Sequence, residues 1–342
     1  MEKLHFDTDY MRGCHPEVMR RLIETNMEQT AGYGNDPYTA HACELIREAC
    51  GVPEAKVFLM VGGTQTNATV IDGVLGHHEG VVCAETGHIN VHEAGAVEAS
   101  GHKVLTLPSH DGKILPSELE EYFSSFYADD TYEHMVYPGM VYISYPTEFG
   151  TLYSLPELKE IKEICRKYNA PLFLDGARLG YGLAAEPGVT LKEIASICDV
   201  FYIGGTKVGA LFGEAVVIPQ GKLISHVTTL VKQHGALLAK GRLLGVQFET
   251  LMTDGLYQRI SRQAIDTAMA LKKGFISKGY RPFIDSPTNQ QFFELPNDLI
   301  RKLQEKCTFE LWGPPGKDTS KVRFVTDWAT SHQDVSMLLS LL

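Results

Sequence analysis

The chain has 342 residues, 44% hydrophobic and 21% charged, a composition that supports a large buried core and excludes a disordered or fibrous protein. With 42 acids against 31 Lys and Arg the net charge is -11, which argues against nucleic acid as the main partner and requires any anionic ligand to be held by local donors. No stretch approaches the roughly 20 apolar residues that span a membrane, and the seven cysteines, odd in number and without a CxxC pair, favour reduced thiols in a cytoplasmic protein over zinc or a disulfide framework.

Residues 1–40 read as irregular, with one helix near 15–28 and a loop at TAGYGNDPYTA, where Gly, Asn, Asp and Pro punctuate the chain. A helix is predicted over 37–50. KVFLMV, residues 56–61, reads as a strand running into GGTQTN, and Ala68, Ile71, Val74 and Leu75 then recur at helical spacing. Gly63 and Thr64 therefore stand at a helix start. Free N–H groups and a positive dipole end suit a phosphate there, although an ordinary Thr-capped turn has the same pattern. After a short strand at 81–84, His88 opens the segment ETGHINVHEAG, with His92 four residues on. No third ligand of suitable spacing follows, so metal is not supported. The readings left are an imidazole packed on a flat ring or a hydrogen-bonded surface histidine.

Further strands are predicted at 103–108, 141–146, 171–174, 200–203 and 214–219, alternating with helical segments that begin near 85, 116, 155 and 190. Strands alternating with helices define an α/β protein with a mostly parallel, doubly covered sheet of about seven strands. Two of these strands end in an ionisable residue, Asp175 and Lys207, on the sheet edge where ligands bind in such folds. A lysine amine there can form a Schiff base with the aldehyde of pyridoxal phosphate (PLP), and a carboxylate can keep the pyridine nitrogen protonated. A strand-terminal acid with a downstream lysine also arises by chance. One long helical stretch is predicted over 223–252. Past residue 254 the pattern changes to a helix, short strands at 291–294 and 322–326, and a terminal helix. The expected organisation is an N-terminal segment, 1–30, packing with a small domain; a large domain, 31–253; and a small α+β domain, 254–342.

Taken in order, these pieces resemble the low-specificity L-threonine aldolases of the PLP-dependent fold-type I superfamily. YGNDP (33–37) looks like the family's YGDDP, VGGTQTN (61–67) like its phosphate loop, and ETGHINVHEAG (85–95) like its histidine segment. FLDGAR (173–178) matches its DGAR motif, Lys207 falls at the Schiff-base lysine, and VRFVTDW (322–328) is similar to VRFVTHxD. The resemblance implies a homodimer or homotetramer with its site at a subunit interface, and cleavage of L-threonine or L-allo-threonine to glycine and acetaldehyde.

The implied roles are local. Lys207 would carry PLP, Asp175 would pair with its ring nitrogen, and His88 would stack on the ring face. Gly63 and Thr64 would cradle the phosphate with the Thr206 hydroxyl, and Lys240 would approach it. Arg178 would lie near the ring and the substrate carboxylate, Arg323 would clamp that carboxylate, and Thr8 stands where the family has a serine. Tyr33 or the Lys240 region would reach the neighbouring subunit's cofactor.

The chain departs from the pattern at Asp7, which replaces an arginine, at Glu148, where the aldolases often have histidine, and at Val208, which replaces a glycine. The base is therefore open among His88, Glu148 with a pKa raised by burial, and a bound water. A PLP-dependent β-eliminating lyase, or an aldolase on another β-substituted amino acid, would use the same Lys, Asp and Arg. A lysine Schiff-base aldolase without PLP and a non-catalytic scaffold are the readings from other classes.

Overall fold

The computed structural model describes residues 3–342. Seven strands form the central sheet: β1 (Lys56–Met60), β2 (Glu79–Ala84), β3 (Lys103–Leu107), β4 (Tyr137–Ser144), β5 (Leu172–Asp175), β6 (Val200–Gly204) and β7 (Glu214–Ile218). Their order across the sheet is β1-β7-β6-β5-β4-β2-β3. Strands β2 to β6 run parallel, and β7 is antiparallel to both of its neighbours. The sheet is mostly parallel, as expected.

The strands at its centre are apolar throughout because helices cover both faces. Phe201 and Ile203 enter one core with Ile46, Leu158, Ile194 and Phe248. Val200 and Tyr202 enter the other with Val70, Ile71 and Val227, as the two-residue alternation of a strand requires. Each such side chain, fully buried, contributes roughly 1.5–3 kcal/mol of apolar transfer. The helix Leu155–Lys167 shows how local signals agree with this packing. Ser154 and Glu157 form a capping box at its start, and Leu158, Ile161, Ile164 and Cys165 make its buried stripe.

Two glycines bring β5 and β6 together beyond ordinary strand spacing. A Cβ on Gly176 would stand 1.8 Å from the Tyr202 carbonyl oxygen, and one on Gly204 would stand 2.3 Å from that of Ala177. Only a bare backbone fits, and the ends carrying Asp175 and the loop to Lys207 converge as a result.

Two expected helices are broken. The stretch 223–252 is not one helix but two, Val227–Gln233 and Arg242–Met252. Gly235 between them has φ +68°, and a Cβ on Gly241 would lie 2.6 Å from the backbone nitrogen of Gly34. The apolar spacing runs on while the glycines let the chain turn. The segment after residue 85 likewise forms two single turns, His88–Val91 and Ala96–Ala99, separated by Ala94 and Gly95 at positive φ.

The C-terminal part builds a four-stranded antiparallel sheet from β8 (Pro282–Ile284), β9 (Gln290–Pro296), β10 (Glu310–Leu311) and β11 (Thr319–Val325), in the order β10-β11-β9-β8. Its core gathers Phe6, Phe275, Phe293 and Phe324. The N-terminal segment divides rather than joining the small domain as a whole. Leu4–His5 pairs in parallel with Cys307–Thr308, whereas the helix Pro16–Thr25 packs on the helix Arg242–Met252. The helix Leu256–Ser277 connects the two parts, packing on Leu179–Ala185 and on His332–Leu339.

Candidate active site

The carboxyl edge of the parallel strands opens into a narrow cleft. About 50 Å³ at its centre admits water-sized solvent, within about 390 Å³ of free space that includes the open mouth. Gly63, His88, Glu148, Asp175, Arg178 and Lys207 all line it. Lys207 follows the loop after β6, where Tyr181 donates its hydroxyl to the Lys207 carbonyl at 2.6 Å. The amine makes no hydrogen bond among the described residues. Burial and the Arg178 charge pull its pKa below the ordinary lysine value, against the pull of Asp9, Asp175 and Glu214.

Asp175, the last residue of β5, is buried and fully engaged. One oxygen accepts from the Tyr202 hydroxyl at 2.5 Å and the Ala177 N–H at 3.0 Å. The other accepts from Tyr142 at 2.6 Å and Asn67 at 2.9 Å. Burial works against its ionisation, but His88 and the hydroxyl and N–H donors outweigh that penalty and hold the carboxyl below its ordinary range. Asn67 also donates to Glu93 at 2.7 Å, and Glu93 lies 2.7 Å from His88 Nδ1. A chain of contacts thus runs from the partly exposed imidazole through buried Glu93 and Asn67 to Asp175.

Glu148 follows β4. Its Oε1 accepts from the Ser144 hydroxyl at 2.7 Å and from the His88 N–H at 2.9 Å, while Oε2 is buried with no partner among the described residues. Burial raises its pKa. The helix Gly63–Val74 begins at the cleft with Gly62 as its cap and no side chain on its first N–H groups. These are donors for an anion.

Several expected residues stand elsewhere or are already committed. The Thr206 hydroxyl donates to Glu214 at 2.8 Å and accepts from the Gly213 N–H at 3.0 Å, so it is engaged within the loop. Arg178 lines the cleft, but its Nε and Nη2 are held by Asp9 at 2.6 and 3.0 Å. Thr64 is exposed in the first helical turn. Thr8 Oγ1 is buried without a partner among the described residues, and neither Thr8 nor Arg323 lines the cleft. Tyr33 lies on a separate and larger cavity of about 1060 Å³, under the Lys232 ammonium, and Lys240 is exposed near it. Neither approaches the cleft of its own chain.

Sequence reading missed Asn67, Glu93, Tyr142, Tyr202, Asp9 and Glu214. Glu214 is buried, and burial pushes its pKa up to about 8 beside Lys207. No local signal marked them: Asn67 stands among polar neighbours in GTQTNAT, and Glu214 opens its strand as any edge residue does.

A fold of this topology, with an amine at 207, an ionised carboxylate at 175 and an uncapped helix start at 63 facing one cleft, is that of the fold-type I PLP-dependent enzymes. The chain matches the beta-eliminating lyase family over residues 5–291 and belongs to it. It is 32% identical over 340 residues to the low specificity L-threonine aldolase of Pseudomonas sp. (strain NCIMB 10558), covering 97% of this chain and 95% of that one. Leishmania major threonine aldolase superposes with a TM-score of 0.94 and 41% identity, over 99% of each chain. A Thermus thermophilus aspartate aminotransferase double mutant shares the fold alone, with a TM-score of 0.70 at 16% identity over 99% of this chain and 91% of that one. The family's members are lyases that use PLP.

The residues present fit that cofactor in their chemistry. Lys207 would hold its aldehyde, Asp175 its ring nitrogen, His88 its face and the N–H groups at Gly63 its phosphate. The four donors on Asp175 fill the lone-pair directions of a carboxylate, so a ring N–H there must replace one of them.

Proposed function

We propose that this protein cleaves the Cα–Cβ bond of β-hydroxy-L-amino acids, converting L-threonine or L-allo-threonine to glycine and acetaldehyde with PLP. The observation that carries this reading is the meeting of Lys207, Asp175 and the Gly63 helix start in one cleft of a chain 41% identical to a threonine aldolase. When bound, the cofactor supplies the sink for the electron pair of the broken bond. The protein's own groups set everything else. A depressed pKa leaves more of the Lys207 amine uncharged and nucleophilic. Asp175, kept ionised, favours positive charge at the ring end of the cleft. Arg323, held beside the cleft by Trp312 and Gln290, orients the amino acid by its carboxylate, so that the Cα–Cβ bond is the one aligned for cleavage. Glu148 has an unpartnered oxygen and a raised pKa, as needed to take the β-hydroxyl proton and return one to Cα. His88 and a bound water are the other candidates for that task.

Elimination at Cβ is the second reading, favoured by the match to the beta-eliminating lyase family. Release of acetaldehyde from threonine, against pyruvate from serine, separates the two. In the decisive experiment PLP-loaded protein gains a glycine-dependent change in visible absorbance and releases acetaldehyde. Lys207→Ala abolishes both. Wild-type protein that takes up no PLP on reconstitution ends the proposal.

The same reading makes the protein a homodimer or homotetramer in the cytoplasm. Support comes from the apolar cavity beside Tyr33, which is 49% exposed, and from seven free cysteines. Sedimentation that gives a monomer at micromolar concentration removes the oligomer.

A further inference from the structure

Arg178 lines the cleft and Arg323 stands behind its wall, and each already holds a carboxylate. The two pairs differ in kind. Arg178 is gripped along one edge, Nε and Nη2, by both oxygens of Asp9, whose side chain has no exposure and accepts a further bond from Asn289 at 3.0 Å. Arg323 sits on β11 directly opposite Glu310 of β10, and its Nη2 donates to Glu310, whose side chain is 43% exposed. Nη1 donates to Gln290 at 2.8 Å, and Nε is buried with no acceptor among the described residues. The edge that Asp9 fills completely on Arg178 is therefore only half filled on Arg323.

Arg323 is also tied to the segment that carries Glu148 into the cleft. Its guanidinium carbon lies 4.9 Å from the Trp312 ring centroid. Phe149, next in the chain to Glu148 of the cleft, packs on Trp312 at 5.6 Å, and Gln290 contacts the Thr147 carbonyl at 3.5 Å. Displacing Asp9 from Arg178 would strand that carboxylate in the interior as an unpaired charge. Displacing Glu310 from Arg323 lets it turn into water, and a solvent-accessible ion pair is weak.

We propose that Glu310 is a resident counter-ion of Arg323 that the α-carboxylate of an incoming amino acid displaces, so that Glu310 sets substrate affinity by competition. This rests on the reading of the cleft as a site for β-hydroxy amino acids. The entering carboxylate takes Nη2 from Glu310 and fills the empty Nε, completing the two-point contact that a planar guanidinium offers. Arg178, already filled by Asp9, is structural on this edge.

The test is Glu310→Gln in the PLP-loaded protein, with glycine affinity measured by calorimetry and threonine turnover measured in parallel. The neutral amide competes less well. The glycine Kd and the threonine KM therefore fall about three- to tenfold, with a smaller change in kcat. In an Arg323→Gln background the same substitution brings no tightening, because there is no guanidinium to compete for. Glu310→Ser supplies a second uncharged variant with the same expected direction should the first fold poorly. Unchanged or weaker glycine binding at a wild-type melting temperature overturns the proposal, as does tightening that persists without Arg323. If the wild type itself binds no glycine, this proposal falls together with the functional reading; if it does bind glycine and E310Q is no tighter, only this one falls.

Discussion

Asp175 and Glu214 are two buried carboxyls on one edge of one sheet, and their pKa values move in opposite directions. Asp175 is held below its ordinary range, and Glu214 is pushed up to about 8. Burial opposes the charge of both. The donors around them differ. Asp175 receives four hydrogen bonds and faces His88, whereas Glu214 receives one at each oxygen, from the Gly205 N–H at 3.1 Å and the Thr206 hydroxyl at 2.8 Å. Donor count and nearby charge, not depth, decide which acid ionises. In the cleft this leaves Asp175 held toward its ionised form and Glu214, beside Lys207, biased toward its protonated form.

The comparison breaks most completely at Asp175 itself. Asp175→Asn sets an amide against donors that all need an acceptor, and kcat/KM falls by about a thousandfold or more. Steady-state threonine cleavage reads this, and activity within tenfold of wild type would deny Asp175 its role. Next in size is Gly176→Ala, whose Cβ meets the Tyr202 carbonyl and forces β5 from β6. A loss of about 3 kcal/mol or more in urea unfolding is expected. A smaller effect sharpens the contrast. Tyr202→Phe takes one donor from Asp175, so its pKa moves up toward the ordinary carboxylate range. PLP affinity falls about three- to tenfold, and its acidic limb shifts to higher pH. An unshifted limb would mean that Tyr202 does not help set the charge.

The comparison is sharpened further through stability at Glu214. Its folded pKa of about 8 lies above the ordinary value of 4.5, so the native state keeps a proton that the unfolded chain gives up between those limits. Stability of the apoprotein from this group therefore falls as pH rises from 4.5 to 8 and levels off above. Glu214→Gln removes that slope, by on the order of 1–2 kcal/mol since the proton is shared with Lys207. Urea midpoints at pH 5, 6.5 and 8 that decline equally in both proteins would contradict it.

Much of the cleft was legible along the chain because its residues sit at strand ends with recognisable punctuation. Asp175 closes an apolar run, Lys207 follows GGT, Gly63 opens a helix, and His88 and Glu148 come just after strands. What was not legible depends on direction and distance. Glu214 reads as the first residue of an ordinary strand. Only the antiparallel course of β7, with Gly204 opposite Glu214, puts that first residue on the same edge as the last residues of the parallel strands. Tyr142 and Tyr202 read as core aromatics, and they are; their hydroxyls reach Asp175 because strands β4, β5 and β6 are neighbours.

Periodicity and punctuation by themselves determined the alternation of strands and helices, the sheet edge that bears the chemistry, and the lysine and aspartate on it. These follow from local rules, in which side-chain spacing selects strand or helix and a buried run can end in only a few ways. The tertiary structure decided which polar groups share a charge. It put Asp9 of the N-terminal segment on Arg178, left Arg323 with a carboxylate that can turn into water, and moved the pKa values of the two acids of one edge in opposite directions. Such outcomes depend on interactions that act over a few ångströms between residues far apart in the chain, and no reading of neighbours in sequence contains those distances.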